Sequence, residues 1–140
     1  MAYNNTLPFQ IDRLDHVAFY VRDMEASANW YKTVLGLQRY QPAEWGSFPI
    51  FMLAGKTGLA LFPASADAKP FEASSRYVCM EHFAFHVSNE DFRKARAHYE
   101  SLGLDFEFRD HHYFHSIYTE DPDGHTVELT TLVVSVEDFY

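Results

Sequence analysis

Apolar and polar positions alternate along residues 14–21, LDHVAFYV. An extended chain there carries Val17, Phe19 and Val21 on one side and His16, Ala18 and Tyr20 on the other. The pattern returns at residues 80–87, MEHFAFHV, where a shift of 66 positions lays His82 on His16 and Ala84 on Ala18, with an acidic residue before each histidine. Behind each strand the apolar spacing lengthens to three and four. Met24, Ala28, Tyr31 and Leu35 form a stripe in the first copy, and Phe92, Ala95, Tyr99 and Leu102 in the second. That period is helical. Asp23 is the expected N-cap of the first helix and Gly36 its C′ residue, while Ser88-Asn89-Glu90-Asp91 reads as a capping box opening the second.

Three short strands are expected after each helix. They lie near 37–40, 49–54 and 58–62 in the first copy, the last two joined by a Gly55-Lys56-Thr57-Gly58 turn, and near 105–108, 114–119 and 125–134 in the second. A polar arm precedes the first copy as far as about Gln10, and a small, polar stretch over 63–77 links the two. A unit repeated twice is a duplicated supersecondary module rather than a solenoid, which needs three or more copies to bury its faces. The expected fold is therefore α+β. Two βαβββ modules, 12–66 and 78–134, together make one domain with a curved eight-stranded mixed sheet and helices on its outer face.

Composition narrows the classes of partner. With 140 residues, 47% of them apolar, the chain is long enough for one real core. A formal net charge of −9 opposes binding to a phosphate backbone or an anionic membrane, and no apolar run approaches the roughly 18 residues of a membrane span. The start lacks the basic and apolar regions of a signal peptide, and Cys79 is the single cysteine, so a cytoplasmic protein is expected.

The chemistry follows from parity. In the last strand Thr126, Glu128 and Thr130 oppose Val127, Leu129 and Thr131, and if the apolar pair faces the helix then Glu128 shares the open face with His16 and His82. Two imidazoles and a carboxylate form the facial triad that leaves about half of an octahedral shell for substrate or oxygen. His86 lies on the same strand face as His82, but four residues at about 3.3 Å each separate the two by roughly 13 Å, too far to share an ion. Repeat symmetry pairs His82, not His86, with His16.

These strands and the closing SIYTEDPDGHTVEL resemble the vicinal oxygen chelate superfamily, which includes glyoxalases, extradiol dioxygenases, fosfomycin-resistance transferases and bleomycin-binding proteins. The resemblance covers nearly the whole chain. It implies a metal held by His16, His82 and Glu128, and it places Tyr118, ten residues before Glu128, as a pocket tyrosine. It also implies a homodimer, with modules exchanged between subunits as one arrangement, and a small-molecule substrate chelated through two adjacent oxygens.

Departures from the subfamilies narrow the reaction. The fourth, acidic ligand of glyoxalase I falls here on Ala60, between Leu59 and Leu61. Fosfomycin transferases carry a threonine two residues past the first histidine, where this chain has Ala18, and basic residues after the last strand, where it has Val136-Glu137-Asp138-Phe139-Tyr140. A three-ligand site in a cup lined from a 17% aromatic composition suits a planar diol, so an extradiol-type dioxygenase acting on a small aromatic diol is the leading expectation. Fe(II) is the expected metal, with Mn(II), Zn(II) and Ni(II) as alternatives. The competing readings are a glyoxalase-like isomerase or lyase working through a metal-stabilised enediolate, and a bleomycin-resistance-like binding protein. Among His111, His112 and His115, strand parity gives His112 the face of Tyr118 and hence the role of acid or base. His125 lies in the Asp121-Pro122-Asp123-Gly124 turn region and reads as structural.

Overall fold

A computed structural model describes residues 6–72 and 76–140. The beginning of the polar arm (1–5) and part of the linker (73–75) lie outside the described residues. Strand β1, His16–Val21, leads to helix α1, Met24–Leu35, and then to β2, Gln38–Tyr40, β3, Ile50–Ala54, and β4, Thr57–Pro63. The second module repeats the order: β5, Phe83–His86, α2, Asn89–Ser101, β6, Glu107–Asp110, β7, Phe114–Glu120, and β8, Thr126–Leu132. Each module carries its own four-stranded mixed sheet, in the order β1-β4-β3-β2 and β5-β8-β7-β6. The eight strands are thus shared four and four. In each sheet the first strand runs parallel to the last and forms one edge.

Local chemistry sets the helix limits. Asp23 Oδ1 accepts from the Ala26 amide at 3.0 Å and Ser88 Oγ from that of Asp91 at 3.1 Å, each satisfying a first-turn donor that the helix leaves open. At the far end of α1, Gly36 takes φ 68°, a conformation easy for glycine, and its amide closes on the Lys32 carbonyl. The inward stripe of α1 is Ser27, Ala28, Tyr31 and Val34. On α2 the expected Leu102 is not buried. It caps the helix in the right-handed region and stays 41% exposed, because the chain turns at Gly103 and sends Leu104 and Phe106 into the core instead. That descent also delays β6 to Glu107.

The two modules share their apolar interior. Val21, Tyr31, Ile50, Met52, Leu59 and Leu61 of the first are packed with Phe83 and Val127 of the second, and Val34 of α1 joins Phe92, Tyr99, Ile117 and Leu129. Phe19 stacks on Phe83 with ring centroids 5.6 Å apart. Since these side chains are the helix-side residues of their strands, the opposite face of each sheet is left open. His16, Ala18 and Tyr20 lie on the open face of the first sheet, as the alternation of β1 predicts.

Candidate metal centre

On the second sheet, β5, β8 and β7 lie side by side, and their register sets Ala84 beside Glu128 and Glu128 beside Tyr118. His82 immediately precedes β5 on the same parity as Ala84. Its Nε2 reaches Glu128 Oε2 at 2.9 Å, while the Tyr118 hydroxyl donates to Glu128 Oε1, also at 2.9 Å. The carboxylate is almost buried, with 7% of Glu128 exposed. Beyond Tyr118 the chain of contacts continues, for His111 Nε2 stands 2.9 Å from the phenolic oxygen. Tyr118 has one proton and spends it on Glu128, so His111 must be the donor in that second bond.

The acidic residues that precede the two histidines have a function in this geometry. Glu81 Oε2 holds His82 Nδ1 at 2.9 Å and Asp15 Oδ2 holds His16 Nδ1 at 2.8 Å. A carboxylate on Nδ1 keeps the proton there and turns the Nε2 lone pair outward, the arrangement in which histidine ligates metals. The Nε2 of His82 then faces a carboxylate oxygen at hydrogen-bond distance, and two acceptors so placed need a proton or a cation between them. The residues present therefore fit a divalent ion. Burial, followed by the hydrogen bond from Tyr118 to Glu128 and the charge of that carboxylate, pushes the phenol up to about 12. Tyr118 is neutral at physiological pH and offers a proton rather than a charge.

His16 does not join this group in the same chain. It sits on the open face of the other sheet, its ring 5.1 Å from that of Phe51, and among the described residues it does not complete a three-ligand group with His82 and Glu128. Nor does His112 reach Tyr118. Residues 111–113 form a tight turn in which His112 adopts φ 71°, with its amide bonded to Asp110 Oδ1 and its ring directed against Tyr113. That turn brings His111 into the position that strand parity gave to His112.

A cleft of about 920 Å³ opens beside the centre, lined in part by Glu81, His82, Glu107, Arg109, His111 and Tyr118. Arg109 is the only Lys or Arg among the described residues lining it. Its guanidinium lies 5.7 Å from the Tyr118 ring, but Glu107 already holds it through two contacts of 3.0 and 3.2 Å.

Asp121, Asp123 and His125 form a second group with the spacing of a cation site. Both oxygens of each carboxylate are already occupied. Asp121 accepts from the amides of Asp123 and His125 on Oδ1 and from the Tyr31 hydroxyl and His125 Nδ1 on Oδ2. Asp123 takes the backbone and side chain of Arg22 together with Ser27 Oγ. These donors belong to the β1–α1 connection and α1 or to the turn itself, so the cluster fastens the β7–β8 turn to the first module. Burial by itself would raise the Asp121 carboxyl, but the bonds and charge of His125 and the bond from Tyr31 hold it below the usual carboxylate range.

Two duplicated modules with a histidine–glutamate pair on an open sheet face define a class of protein, and the match to known families agrees. Residues 13–129 match the Glyoxalase/Bleomycin resistance protein/Dioxygenase superfamily, and the chain belongs to it. The vicinal oxygen chelate resemblance carried by the two strand motifs is thereby borne out. A glutathione transferase named FosA, from Serratia marcescens, is 28% identical over 119 residues, covering 85% of this chain and 80% of the relative. A glyoxalase/dioxygenase from Nostoc punctiforme shares the fold with a TM-score of 0.77 at 22% identity, over 95% of this chain and 100% of that one. The fosfomycin resistance protein FosX from Mesorhizobium loti follows with a TM-score of 0.64 at 25% identity, over 92% and 98% of the two chains. No helix among the described residues is long and apolar enough to cross a membrane.

Proposed function

We propose that the chain is a divalent-metal-dependent enzyme that holds a small substrate through two adjacent oxygens, and that its reaction is extradiol-type oxygen insertion into an aromatic diol. His82 and Glu128 of one protomer are the ligands from the second sheet, and His16 of another protomer completes the set. The observation that carries this reading is the run His82, Glu128, Tyr118, His111, three successive contacts of 2.9 Å beside a cleft that His82, Tyr118 and His111 line. A bound Fe(II) would polarise the two diol oxygens and leave shell positions for dioxygen.

The chain's own groups supply the rest. Tyr118, neutral, donates a hydrogen bond toward the chelation site and can release that proton to a substrate oxygen. His111, donating to the phenolic oxygen, stands where it can replace it. Glu128 is held by the phenol in one orientation, which fixes the direction of its second oxygen. The transferase reading is less well served: Arg109, the single lysine or arginine among the described residues at the cleft, is paired with Glu107, and a phosphonate needs uncommitted cations.

The test is metal analysis of protein purified without chelators, followed by anaerobic Fe(II) loading and oxygen uptake with a panel of catechols. Bound metal with diol-dependent uptake is the expected result. Metal binding without uptake would transfer the assignment to the isomerase or lyase class, and no metal at all would leave only a binding protein. Coexpression of His16→Ala and His82→Ala chains tests the ligand set. If the site crosses the dimer, the mixed dimer regains one intact site while each parent has none.

A further inference from the structure

The chain does not leave the second sheet where β8 ends. Val133 donates its amide to the Tyr113 carbonyl at 2.9 Å, and a short 3₁₀ turn, Val136–Asp138, then brings two rings back over the start of β7. Ser135 Oγ donates to Asp138 Oδ2 at 2.7 Å and closes that turn on itself. Phe139 lies 4.8 Å from Phe114 at 89° and 5.3 Å from Tyr113 by ring centroid, and Tyr140 lies 6.4 Å from Phe114. Burial is a poor account of these contacts. Phe139 is 45% exposed and Tyr140 56%, and neither joins the apolar interior that the two modules share. Apart from each other, both rings meet residues 113 and 114, where the turn that carries His111 ends.

That turn has a shape that must be enforced. The Tyr113 amide donates to the His111 carbonyl at 2.8 Å, with His112 between them at φ 71°, a conformation that a residue other than glycine keeps only where its surroundings impose it. Asp110 Oδ1 holds it from the strand side by accepting from the His112 amide. Val133 and Phe139 hold it from the other side, through the carbonyl and the ring of Tyr113. The His111 imidazole is exposed, and among the described residues its one ring contact is Tyr118, with centroids 6.1 Å apart. Its aim at the phenolic oxygen therefore depends on the backbone beneath it.

We infer that Phe139 is a positioning residue: the stretch after β8 braces the 111–113 turn in its strained form and so keeps His111 Nε2 on the Tyr118 hydroxyl. The inference rests on the proposed proton path through Tyr118, and it adds to that path a residue that does not line the cleft. Glu128 and Phe139 belong to one continuous stretch, so β8 with its extension supplies the carboxylate at one end of the contact run and the brace of the histidine at the other. Ring-on-ring contact suits that task, because edge contacts between aromatic groups fix direction as well as adding attraction.

Two measurements on Phe139→Ala test this. In metal-free protein the ring resonances of His111, assigned by their loss in His111→Gln, should move to the positions of a free, exposed histidine. In Fe(II)-loaded protein kcat for catechol should fall by about tenfold, the scale of a proton-transfer partner set loose, with KM and iron content unchanged. Phe139→Ala should have no further effect on kcat in the His111→Gln background, because its influence passes through His111. Phe139→Tyr, which keeps the ring, should restore both readouts, and Tyr140→Ala, at a more exposed position, should shift both in the same direction by less. Unmoved His111 resonances in Phe139→Ala would overturn the inference, and so would an equal loss of kcat in the His111→Gln background, which would make Phe139 a support of the fold at large. Absence of diol turnover in the wild type would overturn the proposed reaction instead, and the resonances of the metal-free protein would then decide the brace alone.

Discussion

His111 Nε2 lies 2.9 Å from the hydroxyl of Tyr118, and this contact gives His111 the place that strand parity assigned to His112. His111→Gln should slow turnover of the metal-loaded enzyme by about 100-fold, the scale of a lost proton-transfer partner, while metal content stays unchanged. His112→Gln should leave the rate near that of wild type. Steady-state kinetics on the two variants decide between them, and equal effects would return His112 to consideration.

Asp15 and Glu81 each hold the Nδ1 of the histidine that follows. Asp15→Asn and Glu81→Gln should each weaken metal binding by about 10- to 100-fold, as removal of outer-sphere partners does elsewhere. Competition against a metal indicator measures this. Both variants should fold normally, since Asp15 and Glu81 lie on the surface with exposed side chains.

The turn that joins β7 to β8 gives the fold a dependence on acid. Asp121 is held below its ordinary value of 3.8 in the folded protein, so the stability it contributes is complete above that value and is lost as pH falls through the lowered one. Thermal unfolding of wild type should therefore fall off below about pH 4. Asp121→Asn should be less stable by about 2 kcal/mol at neutral pH and should show a shallower decline on the acid side. A parallel decline in both proteins would place the acid sensitivity elsewhere.

The Tyr99 hydroxyl is buried beneath α2 and has no hydrogen-bond partner among the described residues. Burial also pushes the phenol well above its usual range, so it stays neutral under all ordinary conditions. Removing an unsatisfied polar atom without changing the ring should help. Tyr99→Phe is expected to stabilise the protein by about 1 kcal/mol in urea unfolding, and a loss of stability would show that the hydroxyl has a partner in solution.

Much of this molecule is legible in its sequence because the informative residues sit in strands, where parity is rigid. The alternation around His16 and the opposition of Val127 and Leu129 to Glu128 follow from the two-residue period of an extended chain. Parity fails where the strand ends. At Asp110 the side chain captures the amide of His112 and begins a turn, so the faces assigned to 111–115 by counting no longer hold. Asp110 two residues ahead was the available signal. The fastening of Arg22 to Asp123 and of Tyr31 to Asp121 spans 101 and 90 residues, and no local pattern announces a pairing at that range. Strand parity places His16 on an open face but cannot say which chain supplies the sheet opposite.

Ala60 in the place of Glu128 has a consequence for how such a protein diversifies. Because the acid proposed to anchor the cation occurs in one copy alone, mutational change in the other would be released from the demands of ligation at every position except its histidine. The open face of the first sheet could then change while the proposed centre on the second remains as it is, so new chemistry and new selectivity would be reached along separate routes.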